Sequence, residues 1–291
     1  MTHRLERFSA PAPPSASRRA GVVLLVYVVH AMTALALSFP VAKVLGSPTL
    51  VHPRGDLVLF DPGGLFLSEI VHHNRAALTN AIEGSYFAIL LVGYLGLLPL
   101  AALLHALSHA GRLTLSGLLA ASARFFGPLS LLLAFALLAA ALSAFFPLAI
   151  GELVGDKVKA AMSDRGADLV LLGFRVLALA IAAIVGVVHD LARAWVVSRD
   201  VPALRAARLA IATFQAFPGR ALGGWSVRGF FSLCLIAAGA WVTTRVPLES
   251  GVGFAAVVLL HQAIAFALIY LRADWLSLAI RLARQFETTP G

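Results

Sequence analysis

The sequence predicts an all-α protein: a polytopic transmembrane helical bundle of about six transmembrane helices in three hairpins, plus amphipathic interfacial helices. Three observations carry this. Of 291 residues, 60% are hydrophobic and 13% charged, where a soluble domain is nearer half apolar and a quarter charged. Mean hydropathy is +0.89. Several apolar runs reach the ~20 residues a bilayer-crossing helix needs, and helices satisfy their own backbone in lipid. An ordinary cytosolic enzyme and a disordered chain are excluded.

The elements follow in order. Residues 1–20, MTHRLERFSAPAPPSASRRA, form a basic, Pro/Ser-rich tail. The first span covers 21–45. A signal peptide would look similar, with Ala34-Leu35-Ala36 as a cleavage site, but the apolar run continues to Leu45 and predicts an uncleaved helix. A long outer loop, 46–84, contains Asp61-Pro62-Gly63-Gly64, a turn leading into a helix with Leu65, Ile70, Leu78 and Ile82 on its membrane face. Further spans are predicted at 85–107, 126–149, 169–189, 228–246 and 251–271, none with a mid-span carboxylate. A weak amphipathic stretch runs from Leu113 to Phe126. A stronger one, 202–217, puts Leu204, Ala207, Ile211 and Phe214 on one face with Arg205 and Arg208 beside it, an interfacial pattern. The membrane domain extends over 21–285, and 286–291 is a tail. Small residues at Ala139–Ala141, Ala180–Ala183 and Ala237–Ala240 allow close helix approach.

Spans one, three and five each run about twenty residues to a proline (Pro40, Pro147, Pro247). That spacing fits three parallel helical hairpins in series, unlike the inverted repeats of many transporters. The alternative is that proline is common near span ends.

Charge sets topology. Fifteen Lys/Arg fall beside one set of span ends (the N-terminal tail, Arg112 and Arg124, the Arg193–Arg228 stretch and the C-terminus) against seven on the other. By the positive-inside rule both termini are cytoplasmic. Twenty of the 23 basic residues are arginine. With abundant Ala, Leu and Gly this composition points to a high-GC bacterial genome, hence to the cytoplasmic (inner) membrane. The net charge of +9 is read as basic loops meeting anionic lipid headgroups. No basic stripe interleaved with aromatics suggests nucleic acid.

The run Val188-His-Asp190-Leu-Ala-Arg193-Ala-Trp195-Val-Val197, then Arg199-Asp200, Ala203 to Ala210 and Phe217-Pro218-Gly219-Arg220, resembles a class of uncharacterised bacterial multi-pass (six-helix) membrane proteins of unknown function. In that class a span ends in an Asp/Tyr-Ala-Arg segment, followed by an arginine-bearing amphipathic helix and a Pro-Gly-Arg turn. The resemblance implies a fold and a location, and no activity.

Candidate site residues fall in two groups. Arg175 inside the fourth span, His30 in the first, and His261 and Gln262 in the sixth are the deepest polar groups, and together they could line a polar path. Their bland reading is a snorkelling arginine near Asp168 and interhelical hydrogen bonds. Asp190, Arg193, Arg199, Asp200, Arg205 and Arg208 form the densest charged cluster, read either as an ion-paired cytoplasmic end or as a docking surface. His105 and His109 share a face, and His72 and His73 are adjacent. Neither pair has the three or four ligands a metal needs, so no metal is expected. Cys234 is read as a packing residue. No cofactor motif occurs: HExxH, P-loop and G-x-S-x-G are all missing. Gly224-Trp225-Ser226 and His261 are expected at different depths, so no catalytic residue is assigned.

The first function expected is a non-catalytic scaffold or accessory/assembly subunit, with membrane lipids and a membrane or cytoplasmic protein as partners. The alternative is a transporter or channel component using Arg175, His30 and His261. A lipid-processing membrane enzyme comes third.

Overall fold

The computed structural model describes residues 14–49, 65–247 and 251–288. It is 91% helical, and there are no strands among the described residues. The helices are α1 (Ala20–Thr49), α2 (Leu65–His73), α3 (Arg75–Leu95), α4 (Leu97–Ser108), α5 (Leu115–Ala161), α6 (Asp164–Arg199), α7 (Ala203–Ala216), α8 (Pro218–Thr243) and α9 (Gly251–Thr288). Six candidate spans are long and apolar enough to cross a membrane: Ser17–Phe39, Leu90–Ser108, Leu115–Gly155, Arg165–Arg199, Pro218–Thr243 and Gly251–Thr288. The chain is a multi-pass helical membrane protein. The Asp61–Gly64 turn and most of the N-terminal tail lie outside the described residues.

Local chemistry sets the helix ends. Thr114 is extended and its Oγ1 accepts from the Gly117 amide at 3.1 Å, which starts α5. Ser163 does the same for α6 through Gly166 at 3.4 Å. Both are side-chain caps on otherwise unsatisfied N–H groups. Asp200 ends α6 at φ 54° and ψ 39°, the one non-glycine residue with positive φ among those described. Asp tolerates this left-handed conformation better than most residues.

Two expectations need correction. The weak amphipathic stretch 113–126 is not a separate interfacial helix. It is the first part of α5, which continues unbroken through Pro128 and Pro147. Proline is tolerated in membrane helices because local adjustments and neighbouring groups re-satisfy the freed carbonyl. The third span, expected to end at residue 149, therefore runs on, while α1 includes Pro40 as the predicted first span does.

The chain divides into two compact units. The first comprises residues 1–19, 101–227 and 274–291. In it α5 and α6 pack along each other, and α7 packs on both. Gly151 lets the α5–α6 hairpin close up: a Cβ there would lie 3.3 Å from Phe174 Cβ. Together with Gly155, beside Leu171, it forms a small-xxx-small contact. The core of this unit lies toward the ends of its helices, with Leu104, Leu107, Leu129, Leu132, Leu191, Val196, Trp275, Leu276 and Ile280 fully or almost fully buried.

The second unit comprises residues 20–100 and 228–273. Here α1 packs on α3, and α8 meets α9 where a Cβ on Gly239 would overlap Ile264 Cδ1. Large apolar residues along the spans of both units face outward, for example Leu35 and Phe39 on α1 and Leu172, Val176 and Leu179 on α6. In a bilayer these faces are solvated by acyl chains, so helix exteriors need no protein partner.

Candidate functional site

The densest polar construction lies in the first unit, built on the last turns of α6. Residues 191–197 are all buried. Asp190 and Arg193, three residues apart on one helix face, pair at 3.1 Å through Oδ1 and Nη1, with side chains 3% and 11% exposed. The second carboxylate oxygen, Oδ2, accepts from the indole Nε1 of Trp275 at 2.7 Å. Both oxygens of a buried carboxylate are thus engaged, which offsets the cost of taking it out of water.

One turn on, Trp195 Nε1 donates to Thr213 Oγ1 at 3.1 Å, and that hydroxyl donates to the Leu209 carbonyl at 2.7 Å. Phe286 packs edge-on against Trp195. These contacts lock α6, α7 and the C-terminal part of α9 together. Around them Arg199 pairs with Glu287, Arg124 with Asp200, and Arg220 donates to Gln285 at 2.6 Å. Of the sequence cluster, Asp190 and Arg193 pair with each other, while Arg199 and Asp200 pair with Glu287 and Arg124 outside it.

α7 shows why Arg205 and Arg208 differ from the rest. Its buried face is Ala203, Ala206, Ala210 and Thr213. Leu204 (61% exposed) and Ile211 (48%) face outward, as do Arg205 and Arg208. Small residues pack inward and the larger apolar residues are left out. Leu204 and Ile211, expected on the interfacial face, are thus the residues left outside the protein's own packing.

A pocket of about 500 Å³ opens between the end of α4, the first turns of α5 and the end of α6. His105, His109, Arg124, Ser198, Arg199 and Asp200 line it. The two imidazoles stack with centroids 4.0 Å apart. His105 Nδ1 and Ser198 Oγ are buried and have no hydrogen-bond partner among the described residues. Arg284 donates to the Ser108 carbonyl at 2.6 Å, and Arg19 to those of His109 and Gly111, covering the C-terminal carbonyls of α4.

Arg175 lies at the far part of the same unit. It lines a second pocket, about 340 Å³, with Glu152, Gly151 and Phe174. Glu152 was missed by the sequence reading because the third span was ended at residue 149, whereas α5 and its apolar window continue past it.

The other polar-path candidates belong to the second unit. His30 Nδ1 donates to the Val26 carbonyl of its own helix at 2.8 Å, and His30 lines a mostly apolar pocket with Thr33, Val92 and Leu95. Gln262 Oε1 accepts from Tyr27 at 2.7 Å. The Thr243 hydroxyl donates to the Gly239 carbonyl, so His261 Nε2, 3.3 Å away, is the donor to it. These are interhelical polar contacts of α1, α8 and α9. Among the described residues no group of three His, Cys, Asp or Glu could hold a metal.

Trp275 and Ser198 are further residues the sequence did not single out. Trp275 stands 85 positions from its carboxylate partner, and a lone serine gives no signal. These features define a class: a multi-pass helical membrane protein with a tightly ion-paired polar end. Comparison with protein-family models, curated proteins and solved structures finds no match for the chain.

Proposed function

We propose that this is an integral protein of the bacterial cytoplasmic membrane, both termini in the cytoplasm, acting without catalysis as a scaffold or accessory subunit of a larger membrane assembly. The observation that carries this reading is α7. Three residues join it to α6 and one joins it to α8, so it is held at the membrane boundary. Its small-residue face is bound to its own unit, while Leu204, Ile211, Arg205 and Arg208 stay outward. An apolar stripe flanked by arginine suits anionic headgroups and, past them, the acidic surface of a partner subunit. The arginine bias of the loops supports the orientation.

The test is extraction into native nanodiscs, with quantitative mass spectrometry of what co-purifies. Wild type is expected to retain a partner at stoichiometric level, and the charge reversal Arg205→Glu/Arg208→Glu to release it. Purification alone, or a partner indifferent to the reversal, overturns the reading.

One observation favours a second reading, a transport component: Glu152 and Arg175 share a pocket at the end of α5 and the start of α6. Ionisable groups inside spans commonly mark ion or substrate paths. Flux into proteoliposomes that falls with Arg175→Gln would favour it.

A further inference from the structure

The geometry points to a phosphate-ester binding site in the pocket between the ends of α4, α5 and α6, with a phospholipid headgroup as its occupant. The site stands on membrane placement alone and is independent of the accessory-subunit proposal.

Its walls are rich in donors and poor in acceptors. Arg124 and Arg199 each bring a guanidinium, Ser198 a hydroxyl and His105 a ring nitrogen, against the single carboxylate of Asp200. That carboxylate is already engaged by Arg124, and Arg199 by Glu287 on α9. A guanidinium has five N–H groups, so each arginine keeps donors for a ligand. A cationic ligand would meet two arginines. An anion with several oxygens could bond donors converging from three helices at once, which is the geometry a phosphate offers and a single carboxylate does not.

Two buried atoms lack partners there, His105 Nδ1 and Ser198 Oγ. Both lie beneath the pocket surface, so the reachable donors are chiefly the guanidiniums of Arg124 and Arg199. The carbonyl end of α4 would by itself repel an anion. Arg284 and Arg19 cover that end through Ser108, His109 and Gly111, leaving the site net receptive.

Size and lining narrow the ligand. Liquid water takes about 30 Å³ per molecule, so about 500 Å³ exceeds a bare phosphate several times over. Ala120, Ala121 and Phe125 give the pocket an apolar side, and the outward Leu115 and Leu119 continue along α5. A phosphate with an attached glycerol and the start of its acyl chains matches a wall that is polar on one side and apolar on the other. Basic pockets between membrane helices bind lipid headgroups by this logic.

The test uses the full chain in mild detergent, read as its thermal unfolding midpoint. The probes are dihexanoylphosphatidylglycerol, dihexanoylglycerol without the phosphate, and glycerol 3-phosphate. The phosphatidylglycerol is expected to raise the midpoint by about 5 °C near saturation, and dihexanoylglycerol to leave it unchanged. Arg124→Gln removes a donor, and Ala120→Leu fills the pocket without touching charge. Each is expected to weaken the apparent affinity at least tenfold, with helicity and elution volume as in wild type. Ala120→Leu decides alone if Arg124→Gln does not fold. Glycerol 3-phosphate matching the lipid probe assigns the phosphate site to a soluble ester, whereas a response to the lipid alone assigns it to a headgroup. Equal stabilisation by dihexanoylglycerol, no response to either phosphate probe, or an undiminished response in the variants overturns the site.

Discussion

Arg175 and Arg193 stand on the same helix, eighteen residues or five turns apart, and so on the same side of it. Their surroundings are opposite. Around Arg193 the helix is buried on every side, and its partner Asp190 is further held by Trp275. Around Arg175 the helix exposes Leu172, Val176 and Leu179, and its neighbours across the pocket are Glu152 and Phe174 of the α5–α6 hairpin. The difference shows that an arginine's type and spacing do not decide its task. Where protein replaces water completely, a charge must be fully paired and its role is structural. Where the helix exposes apolar residues, the charge lines an open pocket instead.

The largest effect should come from breaking the buried pair. Asp190→Ala takes from the buried Arg193 the carboxylate it pairs with, and a loss of up to about 3–5 kcal/mol is expected, measured by unfolding in mixed detergent and dodecyl sulfate. The double change Asp190→Leu/Arg193→Met should recover most of that loss, because an apolar pair of similar volume no longer carries the desolvation penalty. A double variant as weak as the single would show that Trp275 and not the charge pairing dominates.

Next comes the hairpin that carries Arg175. Gly151→Leu drives a side chain into Phe174, and overpacking of this kind destabilises by about 1–3 kcal/mol. Gly155→Ala, facing only Leu171 at ordinary contact distance, should be milder in the same assay.

The smallest stability effects are expected at Arg175 and Glu152 themselves. Arg175→Gln and Glu152→Gln should each change stability by less than about 0.5 kcal/mol, so that a double-mutant cycle isolates their mutual coupling. A coupling as large as that of Asp190 and Arg193 would erase the contrast between the two ends of α6 and make Arg175 a second structural arginine.

The spans were readable because hydropathy is a local property: each run announces itself without reference to the others. Asp190 and Arg193 were readable for the same reason, being one turn apart. Trp275 was not, since its contact depends on how α9 packs against α6 within the first unit. The length of α5 was misjudged because its apolar run gives way to Gly151-Glu152 and further charges, while the helix itself continues to Ala161. Ending the span early also hid Glu152. The histidine pocket draws residues from 105 to 200 in sequence, and an i, i+4 histidine pair alone carries little weight. On α7 the pattern identified the amphipathic helix and its Leu204–Ile211 face, but not the opposite face of Ala203, Ala206, Ala210 and Thr213 that packs on the protein, because alanine carries little weight in any hydrophobicity count yet allows closer approach to a neighbouring helix.

The 47 residues of α5 have a consequence for where labels can reach. At 1.5 Å per residue the helix is about 70 Å along its contour. A bilayer with its headgroups is about 40–45 Å thick. Even tilted by 40°, the upper end of the usual range, such a rod rises about 54 Å. At least one end of α5 therefore lies outside the bilayer, and the exposed Lys157 and Arg165 flank the turn at one of those ends. A membrane-impermeant amine reagent should modify Lys157 from one side of a sealed vesicle only.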